Sequence, residues 1–383
     1  MHGEESASQG LCKLAQRQLQ KFSNYKGHEA VYQFPYLKNG IPTGIHLIIA
    51  LHNTKRGPGL GGIRYRARAY QNLTEAIEDA LNLSFCMTQK ILVADLPYGG
   101  AKAILYVSEV YADFFEKERT SVFLWVGECI ERLSGKYVTA EDMGVHLSDL
   151  ETIARSTSYV RGVTLSQNTK NDITSEMTAY GVYQGIRAAV RFVYPENPRI
   201  FDKHFAIQGC LGKVGFNLCK MLSKEGAFLF IADIKEKGEI EHAFKKANIA
   251  KRFQIVDPNK IHSRLCDMFV PCAHGGVLNS RTIPQMLCKI VAGCANNQLA
   301  STKDGMTLHK QHILYVPDFV INAGGCMAVA YEDMGIDYIR FQVGRVYAQT
   351  KNILETAQEK EIPPFVYAEE KAEKILLSDK GGV

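Results

Sequence analysis

Apolar and polar residues alternate most regularly in the first part of the chain, as they do in β-strands. Residues 45–51 carry Ile or Leu at every second position, and residues 62–69 place arginines opposite apolar side chains. We therefore predict strands over both segments. The row formed by Arg64, Arg66 and Arg68 is suited to binding an anion, but a solvated sheet face is the simpler interpretation.

Three other segments of this region repeat apolar residues at helical spacing. We expect a helix within residues 8–22, a second containing residues 73–81 and a third over residues 111–134. Asn72 followed by Glu75 is typical of a capping box, in which both side chains satisfy backbone N–H groups at the start of a helix. The first part of the chain thus mixes strands and helices without a repeating order.

After residue 170, strands and helices alternate regularly. Such alternation is typical of a parallel, doubly wound sheet of the Rossmann type. The apolar runs predict buried strands at 204–208, 227–232, 267–270 and 290–293.

The length of 383 residues exceeds what a single hydrophobic core usually supports. We therefore predict an α/β protein of two domains with a cleft between them. The first domain, residues 1–165, has a mixed sheet, and the second, residues 171–345, has the doubly wound sheet. The C-terminal helical residues, 346–383, are expected to pack back on the first domain.

Composition and charge argue against several classes of protein. The net charge of +5 is small, and basic and acidic residues are interspersed, so nucleic-acid binding gains no support. No stretch approaches the ~20 apolar residues of a membrane span, which predicts no membrane partner and a cytoplasmic location. The ten cysteines form no CxxC pair, so we expect reduced thiols and no metal site.

A glycine-rich loop follows the first strand of the alternating region. Gly209, Gly212 and Gly215 lead into a helix, an arrangement that brings backbone N–H groups and the helix dipole to a pyrophosphate. Asp233 ends the next apolar run, where its carboxylate would accept from a ribose 2′-hydroxyl and repel a 2′-phosphate. A role for Asp233 as a strand cap is the alternative. The pattern favours NAD as the cofactor.

The spacing of this loop is irregular. Two residues separate Gly209 from Gly212, where the usual fingerprint has one. Either Cys210 occupies the position of the first glycine or one residue is inserted. Both alternatives change the tight turn that precedes the pyrophosphate.

Motifs that carry chemistry lie in the first half of the chain: GPGLGGIR at 57–64, MTQK at 87–90, LPYGGAK at 96–102 and TAEDMG at 139–144. With four later segments they follow the order of the glutamate/leucine/phenylalanine/valine dehydrogenase family. The chain resembles this family over residues 28–345, and most closely its leucine branch. The later segments are MTAYGVYQGIRAA at 177–189, PCAHGGVLN at 271–279, AGCANNQL at 292–299 and PDFVINAGG at 317–325.

The resemblance assigns roles to three charged residues. Lys90 would hold the carboxylate of an amino acid, Lys102 would act as the base that activates water, and Asp142 would shuttle protons. A lysine acts as a base near neutral pH only if burial or a neighbouring cation lowers its pKa, and Lys90 is the expected cation. The implied partners are an L-amino acid or its 2-oxo acid, and ammonium, bound by a homo-oligomer.

The side chain of the substrate is inferred from Leu60. Glutamate-specific members of the family carry a lysine here to pair with a second carboxylate, and an apolar residue cannot repay the desolvation of that carboxylate. A branched-chain substrate is therefore expected. The other substrate contacts implied by the resemblance are Gly61, Gly62, Ala140, Asn297, Cys326 and Val329.

The resemblance also implies further contacts with the dinucleotide. Thr178 lies where the family has a threonine beside the nicotinamide, a helix cap or turn residue being the alternative. The other implied contacts lie near the glycine loop and in the later motifs: Lys213, Val214, Ile234, Cys272, Ala273 and Asn296.

We therefore hypothesise that the protein reversibly deaminates a branched-chain or other apolar L-amino acid to its 2-oxo acid, with reduction of NAD. A phenylalanine-specific enzyme of the same family is one alternative. A catalytically weakened regulatory relative is another, and the presence of all three charged residues argues against it.

Overall fold

A computed structural model describes residues 11–163, 172–249 and 252–378. The chain divides into two compact units, Met1–Lys170 with Ile375–Val383, and Asn171–Lys374. The predicted boundary between residues 165 and 171 lies outside the described residues.

The first unit is built on a mixed sheet, as predicted. Its strands are Cys12–Lys13 (β1), Ala30–Lys38 (β2), Ile41–Asn53 (β3), Gly59–Leu60 (β4), Ile63–Arg64 (β5), Gly99–Val107 (β6) and Tyr137–Val138 (β7). Within the described part of the chain they lie in the order β1-β2-β3-β6-β4-β7, with β5 beside β6. The pairs from β1 to β6 are antiparallel, whereas β4 and β5 run parallel to their neighbours.

Helices on both faces of this sheet bury β3 from Leu47 to its end. Ile45 and the alternate residues after it pack with Phe115 and Phe123, while Ile48 and Ala50 on the opposite face pack with Ala80. The alternation in β3 therefore separates two apolar faces and not a buried face from a solvated one. The helices are Gln16–Leu19 (α1), Leu73–Val93 (α2), Ala112–Glu131 (α3) and Leu147–Ile153 (α4).

The start of α2 confirms the predicted cap. The Asn72 side chain accepts a hydrogen bond from the Glu75 N–H at 3.0 Å. The Glu75 carboxylate accepts from the N–H of Gln71, at 2.8 Å, and not from that of Asn72. The backbone donors before the helix are thus satisfied, with the reciprocal bond shifted by one residue.

Two sequence predictions for this unit are wrong in extent. The segment 62–69 forms a strand only at β5, because the chain turns after Arg64, and Arg68 has a φ of 57°. The predicted arginine row is therefore not one solvated face. Of residues 8–22, the described part is helical only over α1, because the preceding residues pair with β2 as a strand.

The second unit contains a parallel sheet. Its strands are His204–Gln208 (β8), Phe228–Ala232 (β9), Phe253–Ile255 (β10), Met268–Pro271 (β11), Ile290–Val291 (β12) and Leu314–Tyr315 (β13). They lie in the order β10-β9-β8-β11-β12-β13 over the described residues, and each pair of neighbouring strands in this order is parallel. This order is that of the doubly wound Rossmann fold, so the predicted class is confirmed. The strand order reverses between β8 and β11, where such sheets bind ligands.

Residues 346–374 belong to the second unit and the described residues 375–378 to the first, so the predicted return of residues 346–383 to the first domain does not hold for residues 346–374. Val346–Glu359 contacts the long helix Ile173–Val193, and Phe365 joins the core cluster around Tyr315. The helices of this unit are Ile173–Val193 (α5), Lys213–Lys224 (α6), Lys237–Lys246 (α7), Thr302–Lys310 (α8), Asp318–Ile321 (α9), Gly324–Ala330 (α10), Ile336–Gly344 (α11), Val346–Glu359 (α12) and Pro364–Ser378 (α13).

Neither a membrane-spanning helix nor a metal site is found among these described residues. None of their helices is both long and apolar enough to cross a membrane. No group of three or more His, Cys, Asp or Glu side chains in the described ranges is placed to hold a metal ion.

Candidate active site

Lys102 and Asp142, separated by 40 residues of sequence, meet in the first unit. Lys102 lies on β6 and is only 6% exposed. Its Nζ lies 2.7 Å from Oδ2 of Asp142, which follows β7. The segment that carries Asp142 is tied to β5, because the N–H of Ile63 donates to the carbonyl of Ala140 at 3.0 Å. The structure thus brings the predicted base and proton carrier into direct contact.

Lys90 approaches this pair because α2 lies directly against β6. A Cβ at Gly100 would overlap the backbone and hydroxyl of Thr88, so glycine is required at this crossing. Lys90 is two residues further along the same helix. It is near enough to lower the pKa of Lys102.

Arg64 is a functional candidate that the sequence analysis placed on a solvated face. Its Nε lies 2.9 Å from Asp142 Oδ2, and a terminal guanidinium nitrogen lies 3.6 Å from Asp79 Oδ2. The Arg64 side chain is only 15% exposed. The signal that points to it is its position at the end of the GPGLGGIR motif, directly after the residues assigned to the substrate.

Burial and charge act together on the ion pair. Burial lowers the pKa of Lys102, and the nearby cations Arg64 and Lys90 lower it further, against the opposing effect of Asp142. Burial alone would raise the pKa of Asp142, but Lys102 and Arg64 hold it well below its ordinary value. At neutral pH the aspartate is therefore ionised, and the Lys102 ammonium loses its proton more readily than an exposed lysine does.

Two predicted substrate contacts of this unit are buried apolar residues close in sequence to Arg64 and Asp142. Leu60 on β4 is 1% exposed and Ala140 is 7% exposed. Between them, the carbonyl of Gly61 accepts a hydrogen bond from the Tyr137 hydroxyl at 2.6 Å, and a Cβ at Gly62 would approach Asp142 to 3.0 Å. Leu60 therefore lies in a segment that passes directly beside the ionised groups.

The glycine loop of the second unit makes its tight turn at Gly209, which has a φ of +80°. The side chain of Cys210 is fully buried, and Leu211 donates its N–H to Asp233 Oδ2 at 2.9 Å. Gly212 then caps α6. Of the two alternatives, the structure thus supports an inserted residue, because a glycine still occupies the turn.

This loop fits the phosphates of a dinucleotide. A Cβ at Gly215 would overlap the carbonyl oxygen of Gly209, so the start of α6 lies directly on the turn. The backbone N–H groups of the first helical turn, at Lys213 and Val214, lie at the carboxyl end of β8, where they can donate to a pyrophosphate. Asp233 ends β9 beside them, half-buried.

Two further predicted contacts lie next to the loop, and one lies at the surface. A Cβ at Gly209 would approach Ala273 to 3.1 Å, and one at Gly215 would approach the Cys272 side chain to 3.3 Å. Cys272 and Ala273 thus face the glycine turn across the point where the strand order reverses. Ile234, which follows Asp233, is 94% exposed.

The remaining predicted residues form a second group in this unit. Asn296 accepts a hydrogen bond from the Asn322 side chain at 2.8 Å, and Asn297 adopts a left-handed backbone with a φ of 53°. Thr178 donates its hydroxyl to the Thr174 carbonyl at 2.7 Å. A Cβ at Gly325 would approach the Thr178 hydroxyl to 2.5 Å, so α10 packs against Thr178. The predicted residues Cys326 and Val329 lie on α10.

The two units together define a two-domain α/β protein with a buried lysine–aspartate pair in one domain and a Rossmann-type sheet in the other. Residues 28–159 match the family model "Glu/Leu/Phe/Val dehydrogenase, dimerisation domain". Residues 171–362 match "Glutamate/Leucine/Phenylalanine/Valine dehydrogenase". The chain belongs to this family of amino-acid dehydrogenases.

Individual relatives cover most of the chain. It is 38% identical to leucine dehydrogenase of Bacillus subtilis over 336 residues, which are 87% of this chain and 88% of the relative. It is 39% identical to phenylalanine dehydrogenase of Thermoactinomyces intermedius, over 81% of this chain and 80% of that one. The crystal structure of L-tryptophan dehydrogenase from Nostoc punctiforme superimposes with a TM-score of 0.76 at 33% identity, covering 95% and 98% of the two chains.

Proposed function

We propose that the protein is an NAD-dependent dehydrogenase that reversibly deaminates an apolar L-amino acid, preferably a branched-chain one, to its 2-oxo acid. The observation that carries the proposal is the buried Lys102–Asp142 pair, at 2.7 Å, together with the buried apolar side chain of Leu60 on β4, which pairs with the strand that carries Lys102. The first unit then binds the amino acid, and the second binds the dinucleotide. The identity to leucine dehydrogenase supports the same assignment.

The residues of the first unit divide the acid–base work. Lys90 binds the substrate carboxylate as a point charge. The chemistry that NAD would supply when bound at the glycine loop is acceptance of a hydride from the α-carbon, so the substrate would become an iminium that water can attack. The free amine of Lys102 takes a proton from that water as it attacks. Asp142 returns to the departing nitrogen the proton that it took from the substrate ammonium before hydride transfer. The nitrogen leaves with the hydroxyl proton as ammonium, and Lys102 releases its proton to solvent, so the products are the 2-oxo acid, ammonium, NADH and one proton.

The lowered pKa of Lys102 is what makes this division possible. An exposed lysine is protonated at neutral pH and cannot accept a proton from water. Burial and the cations Arg64 and Lys90 shift Lys102 toward the free amine. Asp142 stays ionised and can therefore accept a proton and pass it on.

The reaction is tested by mixing the purified protein with NADH, ammonium and one 2-oxo acid at a time. We expect loss of NADH with 2-oxoisocaproate or 2-oxoisovalerate, and no loss when ammonium is omitted. Phenylpyruvate is included because the identity to a phenylalanine dehydrogenase favours an aromatic substrate as the second candidate. A protein that oxidises NADH with none of these acids is not the proposed enzyme.

Asp233 supports the choice of NAD over NADP. Its carboxylate lies at the end of β9 and is held by the N–H groups of Leu211, at 2.9 Å, and Lys235, at 3.3 Å. A 2′-phosphate placed here would meet a fixed negative charge. We therefore expect the unaltered protein to prefer NAD.

Changing Asp233 to Ser should relax this preference, because a hydroxyl tolerates either ribose. Asp233→Asn is the matched control, since it keeps the shape and an acceptor oxygen while removing the charge. The measurement is the Kd of each variant for NAD and NADP by calorimetry, which does not depend on turnover. Equal affinity of the unaltered protein for both dinucleotides rules out the role of Asp233.

We also infer that the protein is a homo-oligomer. The support is the match of residues 28–159 to a family model described as a dimerisation domain. The cytoplasmic location stays a prediction from the sequence.

A further inference from the structure

Arg64 bridges two carboxylates that come from different elements. It ends β5, and its guanidinium lies 2.9 Å from Asp142 Oδ2 and 3.6 Å from Asp79 Oδ2 on α2. Asp79 is itself fixed, because the same oxygen accepts a hydrogen bond from the Tyr70 hydroxyl at 2.6 Å. A connected path therefore runs from Tyr70 through Asp79 and Arg64 to Asp142.

The same carboxylate oxygen serves both cations of the site. Oδ2 of Asp142 contacts Nε of Arg64 and, at 2.7 Å, Nζ of Lys102. Because Arg64 and Lys102 share this oxygen, the guanidinium helps to set the position of Oδ2 relative to Lys102. A planar guanidinium presents donors in a fixed fork, so it can hold two carboxylates at once in a way that a lysine ammonium cannot.

We propose that Arg64 is a positioning residue: anchored by Asp79, it holds the Asp142 carboxylate against Lys102 and keeps a positive charge beside the Lys102 amine. The expected change in kcat and kcat/KM rests on the proposed function. The expected change in the free-amine fraction of Lys102 does not.

The charged and titratable groups near Lys102 and Arg64 determine in which direction the loss of Arg64 changes the pKa of Lys102. Asp142, Arg64 and Lys90 act on Lys102. Asp142, Asp79 and Tyr70 act on Arg64. Arg64 lowers the pKa of Lys102, so its removal should raise that pKa. Because Lys102 must be a free amine to accept a proton, kcat/KM rises with pH through this pKa, and the rising limb should move to higher pH.

The kinetic test compares two substitutions at one position. In Arg64→Gln we expect the rising limb of the kcat/KM profile to move up by about one pH unit, the effect typical of one nearby charge. In Arg64→Lys the charge remains, so the limb should stay in place. The kcat should nevertheless fall about tenfold or more, because an ammonium cannot hold both carboxylates.

Arg68→Gln is the control for loss of a positive charge. Arg68 comes from the same alternating segment, but its side chain is 70% exposed, and its Nε lies 3.4 Å from the exposed carboxylate of Glu109. We expect neither the limb nor kcat to change in this variant. A shift of the limb in Arg68→Gln equal to that in Arg64→Gln would overturn the specific role of Arg64.

A second measurement does not need activity. Competitive acetylation with acetic anhydride over a series of pH values, read on the Lys102 peptide by mass spectrometry, follows the free-amine fraction of Lys102 directly. The midpoint should lie higher in folded Arg64→Gln than in the unaltered protein, and an unchanged midpoint overturns the proposal. If the unaltered protein deaminates no amino acid but the midpoint still shifts, the proposed function fails while the placement of Arg64 stands.

The lysine variant keeps the test decisive if Arg64→Gln does not fold, as judged by thermal unfolding. Folded Arg64→Lys with an unchanged acetylation midpoint and a lowered kcat supports the positioning role. Folded Arg64→Lys with the kcat of the unaltered protein contradicts it.

Discussion

Replacing Lys102 by Ala is expected to lower kcat about 10²- to 10⁴-fold, the usual contribution of a positioned general base. The Lys102 side chain is almost completely buried, and Asp142 keeps Arg64 as a partner when the lysine is removed. The folded state should therefore survive the change. The measurement is steady-state kcat with 2-oxoisocaproate, ammonium and NADH, together with the thermal midpoint of each protein.

Asp142→Asn tests the same lysine–aspartate pair by removing the carboxylate. The amide keeps the shape of the carboxylate but cannot carry a proton, so kcat should fall by a similar factor. Lys136→Ala is the matched control, because Lys136 belongs to the same unit and is exposed. Near-normal turnover in a folded Lys102 or Asp142 variant would remove the proposed acid–base pair.

Leu60→Lys is expected to suppress aliphatic substrates at least a hundredfold in kcat/KM, roughly the several kcal/mol that an unpaired buried charge costs. Leu60 is 1% exposed on β4, so a lysine there places an ammonium among apolar groups. An aliphatic 2-oxo acid offers that ammonium no partner. The ratio of 2-oxoglutarate to 2-oxoisocaproate activity should therefore rise, whether or not glutamate becomes a good substrate.

Leu60→Met is the control for a change of shape without charge, and it should keep most of the activity with 2-oxoisocaproate. Kinetics with 2-oxoisocaproate, 2-oxoisovalerate, phenylpyruvate and 2-oxoglutarate give the comparison. If the unaltered protein prefers 2-oxoglutarate, Leu60 does not define an apolar side-chain pocket.

The parallel sheet of the second unit was predictable because its strands are short apolar runs between helical patterns. Both faces of such a sheet are covered, so its longer strands appear as continuous apolar runs. The two edge strands, β10 and β13, are short and were not predicted. Residues 346–374 were expected on the first unit for a related reason. Helical periodicity shows that residues 346–359 have an apolar face, but it does not show which surface that face covers.

The residues of the candidate site that lie in contiguous motifs were predictable. Those whose role depends on contacts with residues distant in sequence were not. Lys90 and Lys102 lie in recognisable segments. Arg64 lies in a segment that alternates like a strand, and its burial depends on Asp142, 78 residues away, and on Asp79. The pattern of one segment contains no information about either partner, so the sequence favoured a solvated arginine.

The glycine loop shows a similar limit. The glycine spacing showed that the loop contains an irregularity, but it did not show how the backbone accommodates the extra residue. The structure places Gly209 in the left-handed turn and directs the N–H of Leu211 to Asp233. The extra residue is accommodated by a hydrogen bond to a side chain of the next strand, which no local pattern predicts.

Product stoichiometry with L-leucine tests the proposed reaction most directly. Purified protein is incubated with L-leucine and NAD, and NADH, ammonium and 2-oxoisocaproate are each quantified, with Lys102→Ala run in parallel. We expect equal amounts of the three products from the unaltered protein, far slower formation from the variant, and much less NADH when L-glutamate replaces L-leucine. Absence of NADH with L-leucine and other apolar amino acids, or faster reaction with L-glutamate, would contradict the proposed function.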